Sequence, residues 1–159
     1  GLTSFGKDIL SKNVDTLKIY GYRFEGYYAG IDSLQMYYRH SMELLQKDIR
    51  DELFGARDIY TKVRDSAPSK YYDGAQVKNS LISDGCVIEG TVENCILFRG
   101  DKIGKGSVVR NSIIMQDSVI GSGAQLDCVI TDKNVVIRDR RHLAGCEELP
   151  YFIAKGRML

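Results

Sequence analysis

The chain has 159 residues, of which 22 are basic and 21 acidic, so its formal net charge is only +1. This balance does not favour binding to nucleic acid or to an anionic membrane surface, because both attract strongly basic proteins. The sequence contains no apolar run near the roughly 18 residues that a membrane-spanning helix needs, and its length suits one ordinary domain or two small ones.

The first predicted element is a β-strand near the N-terminus. Eight of the ten tyrosines precede position 72, and four of them lie in the stretch from Leu17 to Tyr28. Aromatic residues favour the pleated, half-buried surface of a sheet. We therefore expect this stretch to be strand.

A helix is predicted next, over residues 33–48. Asp32 or Ser33 offers a side chain that can cap the first N–H groups, and Gln35 can return a hydrogen bond if Asp32 is the cap. Lys47 and Arg50 suit the C-terminal end, where the backbone carbonyls favour cations. The apolar positions at helical spacing are Leu34, Tyr37, Tyr38 and Leu45.

The composition changes after this helix. Residues 57–72 are predicted to be a linker, since Pro68 favours extended backbone before it. From residue 73 onward helix signals disappear, β-branched residues dominate, and glycine or Asn-Ser pairs recur. The chain is thus divided into residues 1–56, a linker over 57–72, and a β-rich part over 73–159.

The β-rich part repeats one six-residue phrase four times. The phrases begin 15, 17 and 17 residues apart, and an isoleucine follows each start after eleven residues. Such regularity is typical of a solenoid, in which each unit buries its apolar face against its neighbours. The eight predicted core positions are Val77, Ile88, Val92, Ile103, Val109, Ile120, Leu126 and Ile137.

The turns of the repeat resemble the hexapeptide pattern, an aliphatic residue followed by glycine, two variable residues and a small residue. The stretches 103–108 and 120–125 fit it best. The resemblance implies a mainly β fold, a left-handed parallel β-helix of about four coils, although spacing alone does not show the hand. End coils need covering, so we expect the N-terminal segment to cover one end and residues 143–159 to fold back along the other.

The four cysteines are predicted to be reduced and structural. They are Cys86, Cys95, Cys128 and Cys146, and no two form a C-x-x-C pair. A zinc site is therefore not expected. Reduced thiols of this kind are typical of the cytoplasm.

Histidines are scarce, and this bears on the enzymes that use hexapeptide coils. Acyltransferases of this type use a histidine base in a coil loop, and the related carbonic anhydrases need three histidine ligands. The chain has only His40, on the predicted helix, and His142, just after the last repeat. The repeats thus show no catalytic site, and an acyltransferase or a free-standing interaction module stays an alternative.

Basic residues gather where the repeats end. Arg138, Arg140 and Arg141 follow the last repeat, and Lys155 lies in the C-terminal tail. Guanidinium groups bind phosphates through paired donors, so these four residues are a candidate site for an anionic effector. The alternative is a solvated rim with Asp139, Glu147 and Glu148 as neutralising neighbours.

The order of segments resembles the C-terminal third of bacterial glucose-1-phosphate adenylyltransferase, also called ADP-glucose pyrophosphorylase. The resemblance rests on the stretches 4–10, 26–34, 42–45 and 129–134, and on the proline connector before the coils. It implies that residues 1–56 are a small α/β remnant of a nucleotidyltransferase domain. The family joins glucose 1-phosphate to ATP for glycogen synthesis and uses Mg²⁺ in its catalytic domain.

Two departures from the family pattern point away from catalysis. The family's glycine-rich nucleotide loop has no counterpart in these residues. Catalytic members also have an aspartate that helps to hold Mg²⁺ at the position of Gly30, and glycine offers no side-chain oxygen. Asp32 lies two residues further on and is more simply a helix cap. No catalytic residue, metal ligand or cofactor of this chain is therefore predicted.

This combination resembles the D-type subunit that accompanies the catalytic subunit in many Gram-positive bacteria. The resemblance implies a regulatory and oligomerisation role in glycogen synthesis. It implies association with a catalytic subunit, with itself, or with both, in a homo- or hetero-tetramer, and a sugar-phosphate effector. The enzymatic alternative is a fragment of a working sugar-phosphate nucleotidyltransferase.

Overall fold

The computed structural model describes residue 1 and residues 3–55, 59–61 and 65–159. The predicted linker over 57–72 therefore lies partly outside the described residues. Near its end, Lys70–Tyr71 already form the first strand of the solenoid. None of the described helices combines the length and the apolar character that crossing a membrane requires.

The N-terminal part is built from short helices. A π-helical segment at Phe5–Leu10 runs into α1 (Ser11–Asn13); α2 (Leu34–Glu43) and α3 (Lys47–Arg50) follow, and a second π-helical segment covers Asp51–Gly55. No strand is assigned to 17–28, so the strand predicted there is wrong. Aromatic content supplies only a propensity, and a strand forms only beside another strand.

The helix predicted over 33–48 forms, but it is interrupted. Ser33 rather than Asp32 caps it, since the Ser33 hydroxyl accepts a hydrogen bond from the Met36 N–H at 3.2 Å. The helix ends at Glu43, and α3 begins four residues later. Arg50 donates a hydrogen bond to the Leu44 carbonyl at 2.7 Å, which places a cation where the carbonyls of α2 end.

In the described part of the chain, fifteen short strands form three parallel sheets, each with five strands. Successive strands enter sheets A, B and C in turn, so three strands complete one coil and each strand pairs with the equivalent strand of the next coil. The parallel β-helix predicted from the repeats is confirmed, whereas its left-handed sense stays a prediction. The strands are β1 (Lys70–Tyr71), β2 (Gln76–Lys78), β3 (Leu81–Ile82), β4 (Val87–Ile88), β5 (Thr91–Glu93), β6 (Ile96–Leu97), β7 (Lys102–Ile103), β8 (Val108–Arg110), β9 (Ile113–Ile114), β10 (Val119–Ile120), β11 (Gln125–Asp127), β12 (Val129–Thr131), β13 (Val136–Ile137), β14 (His142–Ala144) and β15 (Tyr151–Ile153).

The core consists of side chains stacked in register from coil to coil. Among the predicted core positions, those now found buried in one cluster are Ile88, Val92, Ile103, Val109, Ile120, Leu126 and Ile137. The eighth, Val77, is 40% exposed, so its assignment to the core is wrong. Val77 lies on β2, the edge strand of sheet B, where only one neighbouring strand covers it.

The two ends of the solenoid differ in what covers them. Residues from 143 onward complete a fifth coil with β14 and β15, Met158 pairs with Val136, and Leu159 packs on the core. The tail thus covers this end. Contrary to the expectation for the N-terminal segment, its described helix α2 lies along the outer face of sheet C and not over the other end.

Helix α2 covers sheet C because that sheet is apolar on both faces. Tyr38 is 3% exposed, and it packs in one cluster with Ile113 and Ile130, which point out of the solenoid. Its hydroxyl donates a hydrogen bond to the Asn111 carbonyl at 2.6 Å. Two consecutive apolar residues per strand are typical of a strand that is buried on both faces.

An asparagine ladder lines the corner between sheets B and C. Asn79, Asn94 and Asn111 have positive φ values of 43°, 52° and 46°. The Asn79 side chain donates to Asn94 at 2.8 Å, Asn94 donates to Asn111 at 3.3 Å, and Asn111 donates to Asp127 at 2.8 Å. Asparagine is the non-glycine residue best suited to this backbone conformation, so it serves both the turn and the ladder.

Replacing Asn94 by alanine is expected to lower the free energy of unfolding by about 2 kcal/mol. The change removes two ladder hydrogen bonds and places a residue with a Cβ but no polar side chain at positive φ. Asn134→Ala is the matched control, because Asn134 has a φ of 58° but lies at another corner. It should cost about 1 kcal/mol. Urea denaturation followed by circular dichroism measures both; equal losses would contradict a stabilising ladder.

Candidate functional site

The stretch 26–33, which carries the departure at Gly30, is held against helix α2 by a cluster of polar side chains. The Tyr27 hydroxyl donates to a Glu43 carboxylate oxygen at 2.5 Å, and His40 Nδ1 lies 2.9 Å from the same oxygen. Glu52 accepts a hydrogen bond from the Tyr27 backbone N–H. These contacts fix the backbone just before Gly30 to two helical segments.

Burial and the neighbouring Glu43 carboxylate raise the pKa of Tyr27 to about 12. The hydrogen bonds from Tyr27 and His40 hold the pKa of Glu43 below its usual range. The pair is therefore a neutral phenol and an ionised carboxylate at neutral pH, an arrangement that positions the loop. Sequence reasoning missed this cluster, although the three-residue spacing of His40 and Glu43 on one helix is a usable signal.

Glycine at position 30 is not required by the backbone. A Cβ built on Gly30 would meet only the Tyr28 side chain, whose hydroxyl oxygen lies 3.8 Å away, and no positive φ demands glycine here. An aspartate would therefore fit. The described residues also contain no group of three His, Cys, Asp or Glu side chains placed to hold a metal ion. The residues present do not fit the Mg²⁺ site that the family resemblance implies.

The structure brings together only part of the basic cluster. Arg140, Arg141 and His142 line an open groove with a volume of about 370 Å³ beside Tyr151 and Leu159. Arg138 follows β13, and its guanidinium group contacts the Met158 sulfur at 3.3 Å. Lys155 lies between β15 and Met158, at the corner from sheet C to sheet A, whereas Arg140 and Arg141 lie at the corner from sheet A to sheet B.

The acidic residues near these arginines in sequence are engaged elsewhere. Asp139 accepts a hydrogen bond from the Ser122 N–H at 2.8 Å. Glu147 and Glu148 line a different groove, beside helix α2. The ion pairs formed within the described part of the chain do not include Arg138, Arg140 or Arg141. These arginines therefore form no direct ion pair with the acidic neighbours that the sequence offered.

His142 lies on the exposed outer face of sheet B, opposite Gln125 of the preceding coil. A catalytic histidine is normally oriented by a hydrogen bond to a carboxylate or a carbonyl. No such bond to His142 is formed by the described residues. The structure therefore offers no support for His142 as an acyltransferase base.

Three of the four cysteines are core residues. Cys86, Cys95 and Cys128 are buried and Cys146 is exposed, and all four are free thiols. Burial raises the pKa of Cys95 to about 12 and also raises the pKa of Cys86 and Cys128. These three thiols are protonated at neutral pH and act as small apolar side chains.

Comparison with known proteins identifies the family. Residues 67–147, just over half of the chain, match the family model described as GlmU-like, C-terminal hexapeptide. The chain belongs to this hexapeptide family. The match covers nearly the whole solenoid from the residues before β1 to the end of β14, which agrees with the parallel coils seen in the structure.

Relatives of this hexapeptide protein extend the match to the N-terminal helices. The glycogen biosynthesis protein GlgD of Bacillus subtilis is 46% identical over 151 residues, which cover 94% of this chain and 44% of the relative. GlgD of Geobacillus stearothermophilus is 50% identical over an alignment of 160 positions, gaps included, which covers 85% of this chain and 47% of that protein. The resemblance stated from the sequence is thereby confirmed.

Catalytic-type relatives are more distant. The glucose-1-phosphate adenylyltransferase of Fervidobacterium nodosum is 34% identical over 144 residues, which cover 90% of this chain and 34% of the enzyme. The chain thus spans less than half the length of the relatives described here. The matched residues of this hexapeptide protein correspond to the C-terminal regions of those proteins.

Proposed function

We propose that this chain is the assembly and regulatory half of a D-type glycogen biosynthesis protein that works in the cytoplasm beside a glucose-1-phosphate adenylyltransferase. The observation that carries the proposal is Gly30, which puts no oxygen ligand where a catalytic member needs one, although an aspartate would fit. The identities of 46% and 50% to proteins named GlgD support the same placement. In this proposal the chain itself does not catalyse the transfer.

The assembly role follows from the shape of the chain. Five stacked coils form a rigid prism with flat outer faces, and parallel pairing fixes the position of every outward side chain. Helix α2 attaches the N-terminal helices to sheet C of this prism through Tyr38. Such a body can hold a catalytic subunit, a second copy or both in a defined orientation within a tetramer.

The test is to assay the full-length protein, alone, for ADP-glucose formation before and after Gly30→Asp. We expect no turnover by the unchanged protein, and tighter Mn²⁺ binding by the variant in a titration followed by paramagnetic resonance. Gly30→Asn is the matched control, since it has the same size without the carboxylate charge. Robust turnover by the unchanged protein would contradict a non-catalytic role.

The groove at the last coil is proposed to bind the phosphate of a sugar-phosphate effector. Arg140 and Arg141 supply paired donors without a carboxylate of the described chain bound to them, and Arg138 and Lys155 add positive charge at the same end. A bound effector would alter the packing of this end against another subunit, and so couple effector and partner binding.

Replacing Arg140 and Arg141 together by alanine is expected to weaken binding of a sugar bisphosphate at least about tenfold, because charge-assisted hydrogen bonds are lost. Isothermal titration calorimetry measures the affinity. Lys105→Ala is the control, since Lys105 lies at the same corner two coils earlier, and it should leave binding unchanged. If millimolar sugar bisphosphate produces no binding heat with the unchanged chain, the proposed effector site is contradicted.

A further inference from the structure

The outer face of sheet B carries a row of alternating charges. In β5, β8 and β11 the middle residue is buried and its two neighbours point outward, and the parallel register places the residues of β2 and β14 in the same rows. The outward residues at the strand ends, in coil order, are Lys78, Glu93, Arg110, Asp127 and the uncharged Ala144. The charges therefore read plus, minus, plus, minus along the solenoid axis.

The row is ordered by contacts within the chain. Lys78 lies 2.9 Å from one carboxylate oxygen of Glu93, and Arg110 lies 3.4 Å from the other. These ion pairs hold the pKa of Glu93 below its usual range, first through Lys78 and then through Arg110. Asp127 accepts a hydrogen bond from Asn111 at 2.8 Å. All four charged groups are thus held on one flat face.

A row with this order is complementary to itself when reversed. Consider a two-fold axis that lies in the plane between two copies, parallel to the strands and midway between the second and third coils. Rotation about it places Lys78 opposite Asp127 of the second copy and Glu93 opposite Arg110. Each of the four pairs across the interface then joins opposite charges.

The second outward row of sheet B fits the same arrangement. It carries no aspartate, glutamate, lysine or arginine, and its members are Gln76, Thr91, Val108, Gln125 and His142. Reversal places Gln76 opposite Gln125, two amides that can exchange hydrogen bonds, and Thr91 opposite Val108, which offer methyl groups to each other. No charged group of this row opposes another.

The other two faces do not have this property. Sheet C is covered by helix α2 through Ile113 and Ile130. Among the outward strand positions of sheet A, the charged residues are two lysines, Lys70 and Lys102. A second copy in reversed orientation on sheet A would therefore bring no opposite charges together. Sheet B is therefore the face with a self-complementary pattern.

We infer that sheet B is an isologous contact surface for a second copy of this chain. Adjacent strands lie about 4.8 Å apart and three-residue strands are about 10 Å long, so the face that carries the four charges is about 14 Å by about 10 Å. An area on the order of 150 Å² is far below the roughly 800 Å² per partner of a standard stable interface. The contact is therefore weak alone and sets orientation within a larger assembly. The inference rests on the proposed assembly role and adds the face and the pairing.

The experiment uses a carbodiimide, which joins a lysine to a carboxylate without a spacer. Lys78 and Asp127 of one chain lie three coils apart, so a cross-link between them forms only between two copies. We expect this cross-link in the unchanged chain, identified by mass spectrometry of the dimer band. Glu93→Lys alone and Arg110→Glu alone should each reduce it at least about tenfold, because each places two like-charged pairs across the interface.

The decisive arm mixes the two single variants, Glu93→Lys and Arg110→Glu. In a mixed pair, the introduced lysine of one copy faces the introduced glutamate of the other, and the retained Arg110 faces the retained Glu93. The Lys78–Asp127 cross-link should therefore return, and its return also shows that both variants fold.

Lys102→Glu on sheet A is the matched control, and it should not change the yield of the cross-link. Absence of the cross-link from the unchanged chain, equal yields in the single variants and the unchanged chain, or no recovery in the mixture would each overturn the inference.

These outcomes are independent of the proposed function. A chain that fails the cross-linking test can still regulate a catalytic subunit through another face. Conversely, a self-associating chain can fail to change the rate of ADP-glucose formation. The two proposals therefore fail separately.

Discussion

Replacing Gly121 by alanine is expected to lower the free energy of unfolding by about 3 kcal/mol or more. A Cβ at this position would lie 2.5 Å from the backbone nitrogen of Asp139 and 2.6 Å from the carbonyl carbon of Arg138. Both are backbone atoms of the next coil, so no side-chain rotation relieves the clash. The coils would have to separate, and overpacking of this kind is strongly destabilising.

Gly106→Ala is the matched control for this clash. Gly106 has a φ of 68° but nothing within 4 Å of the Cβ position, so the substitution costs only the conformational preference, about 1 kcal/mol. Thermal and urea denaturation of both variants separate the two effects. Equal losses for Gly121→Ala and Gly106→Ala would contradict the close approach of successive coils at this corner.

The second large effect concerns Asp101, a buried carboxyl group in the solenoid. Asp101 is 0% exposed, one of its oxygens accepts the Ser118 N–H at 2.9 Å, and the other oxygen has no hydrogen-bond partner among the described residues. Burial, with a smaller effect from the charge of Asp117, raises the pKa of Asp101 to about 8 from an ordinary value of 3.8. The folded protein therefore holds this proton more tightly than the unfolded chain.

The sign of the pH dependence follows from this difference. The contribution of Asp101 to stability is constant below about pH 4, falls as the pH rises, and is lost above about pH 8. Asp101→Asn removes the titration, so at about pH 8.5 the variant should be more stable than the unchanged chain. Relative to acidic pH, the stability of the variant over the unchanged chain should increase by on the order of 6 kcal/mol, because the pKa rises from 3.8 to about 8 and each pKa unit corresponds to about 1.4 kcal/mol.

Urea denaturation from about pH 4 to about pH 9 measures this effect as the difference between the two proteins. Asp117→Asn is the control, because Asp117 is exposed and its φ of 59° suits asparagine. That variant should keep the fall in stability with rising pH, with its midpoint only slightly displaced because the charge of Asp117 has a small effect on Asp101. A parallel pH dependence for Asp101→Asn and the unchanged chain would show that the buried carboxyl does not carry the predicted cost.

The solenoid was predictable because its physical cause is periodic. Equivalent residues of successive coils pair in register, as Val92 does with Val109. The residues that stack in the core therefore recur at a regular spacing in the sequence. Val77 was misassigned because the repeat identifies equivalent positions but does not show which coil lacks a neighbour. Whether a core position is covered on both sides depends on where the stack of coils ends, and a single repeat does not contain that information.

The N-terminal part was harder to predict because its contacts are not periodic. Helix α2 was found from its spacing and its Ser33 cap, but its docking on sheet C depends on Tyr38 meeting Ile113 and Ile130, which are distant in the sequence. The extra apolar residue in each sheet C strand was the available signal. At 17–28 the aromatic residues give only a local propensity for strand, and in the structure this stretch pairs with no strand and forms none.

The features of the candidate site that depend on the identity of a single residue are predictable from the sequence. The features that depend on how residues are arranged in space are not. Gly30 is visible in the sequence, and the structure adds that an aspartate would fit there. The four basic residues were also visible, but their distribution over two corners was not. The charge row of sheet B became visible only when the register placed residues 15 to 17 apart side by side.

We propose that this chain belongs to a regulatory partner and not to a catalyst. The most direct experiment mixes the full-length protein with the catalytic adenylyltransferase subunit of the same organism and measures ADP-glucose formation across effector concentrations. We predict no turnover by the full-length protein alone, and a changed rate and effector response of the catalytic subunit in the mixture. Turnover by the protein alone, or a catalytic subunit whose rate and effector response stay the same in the mixture, would contradict the claim.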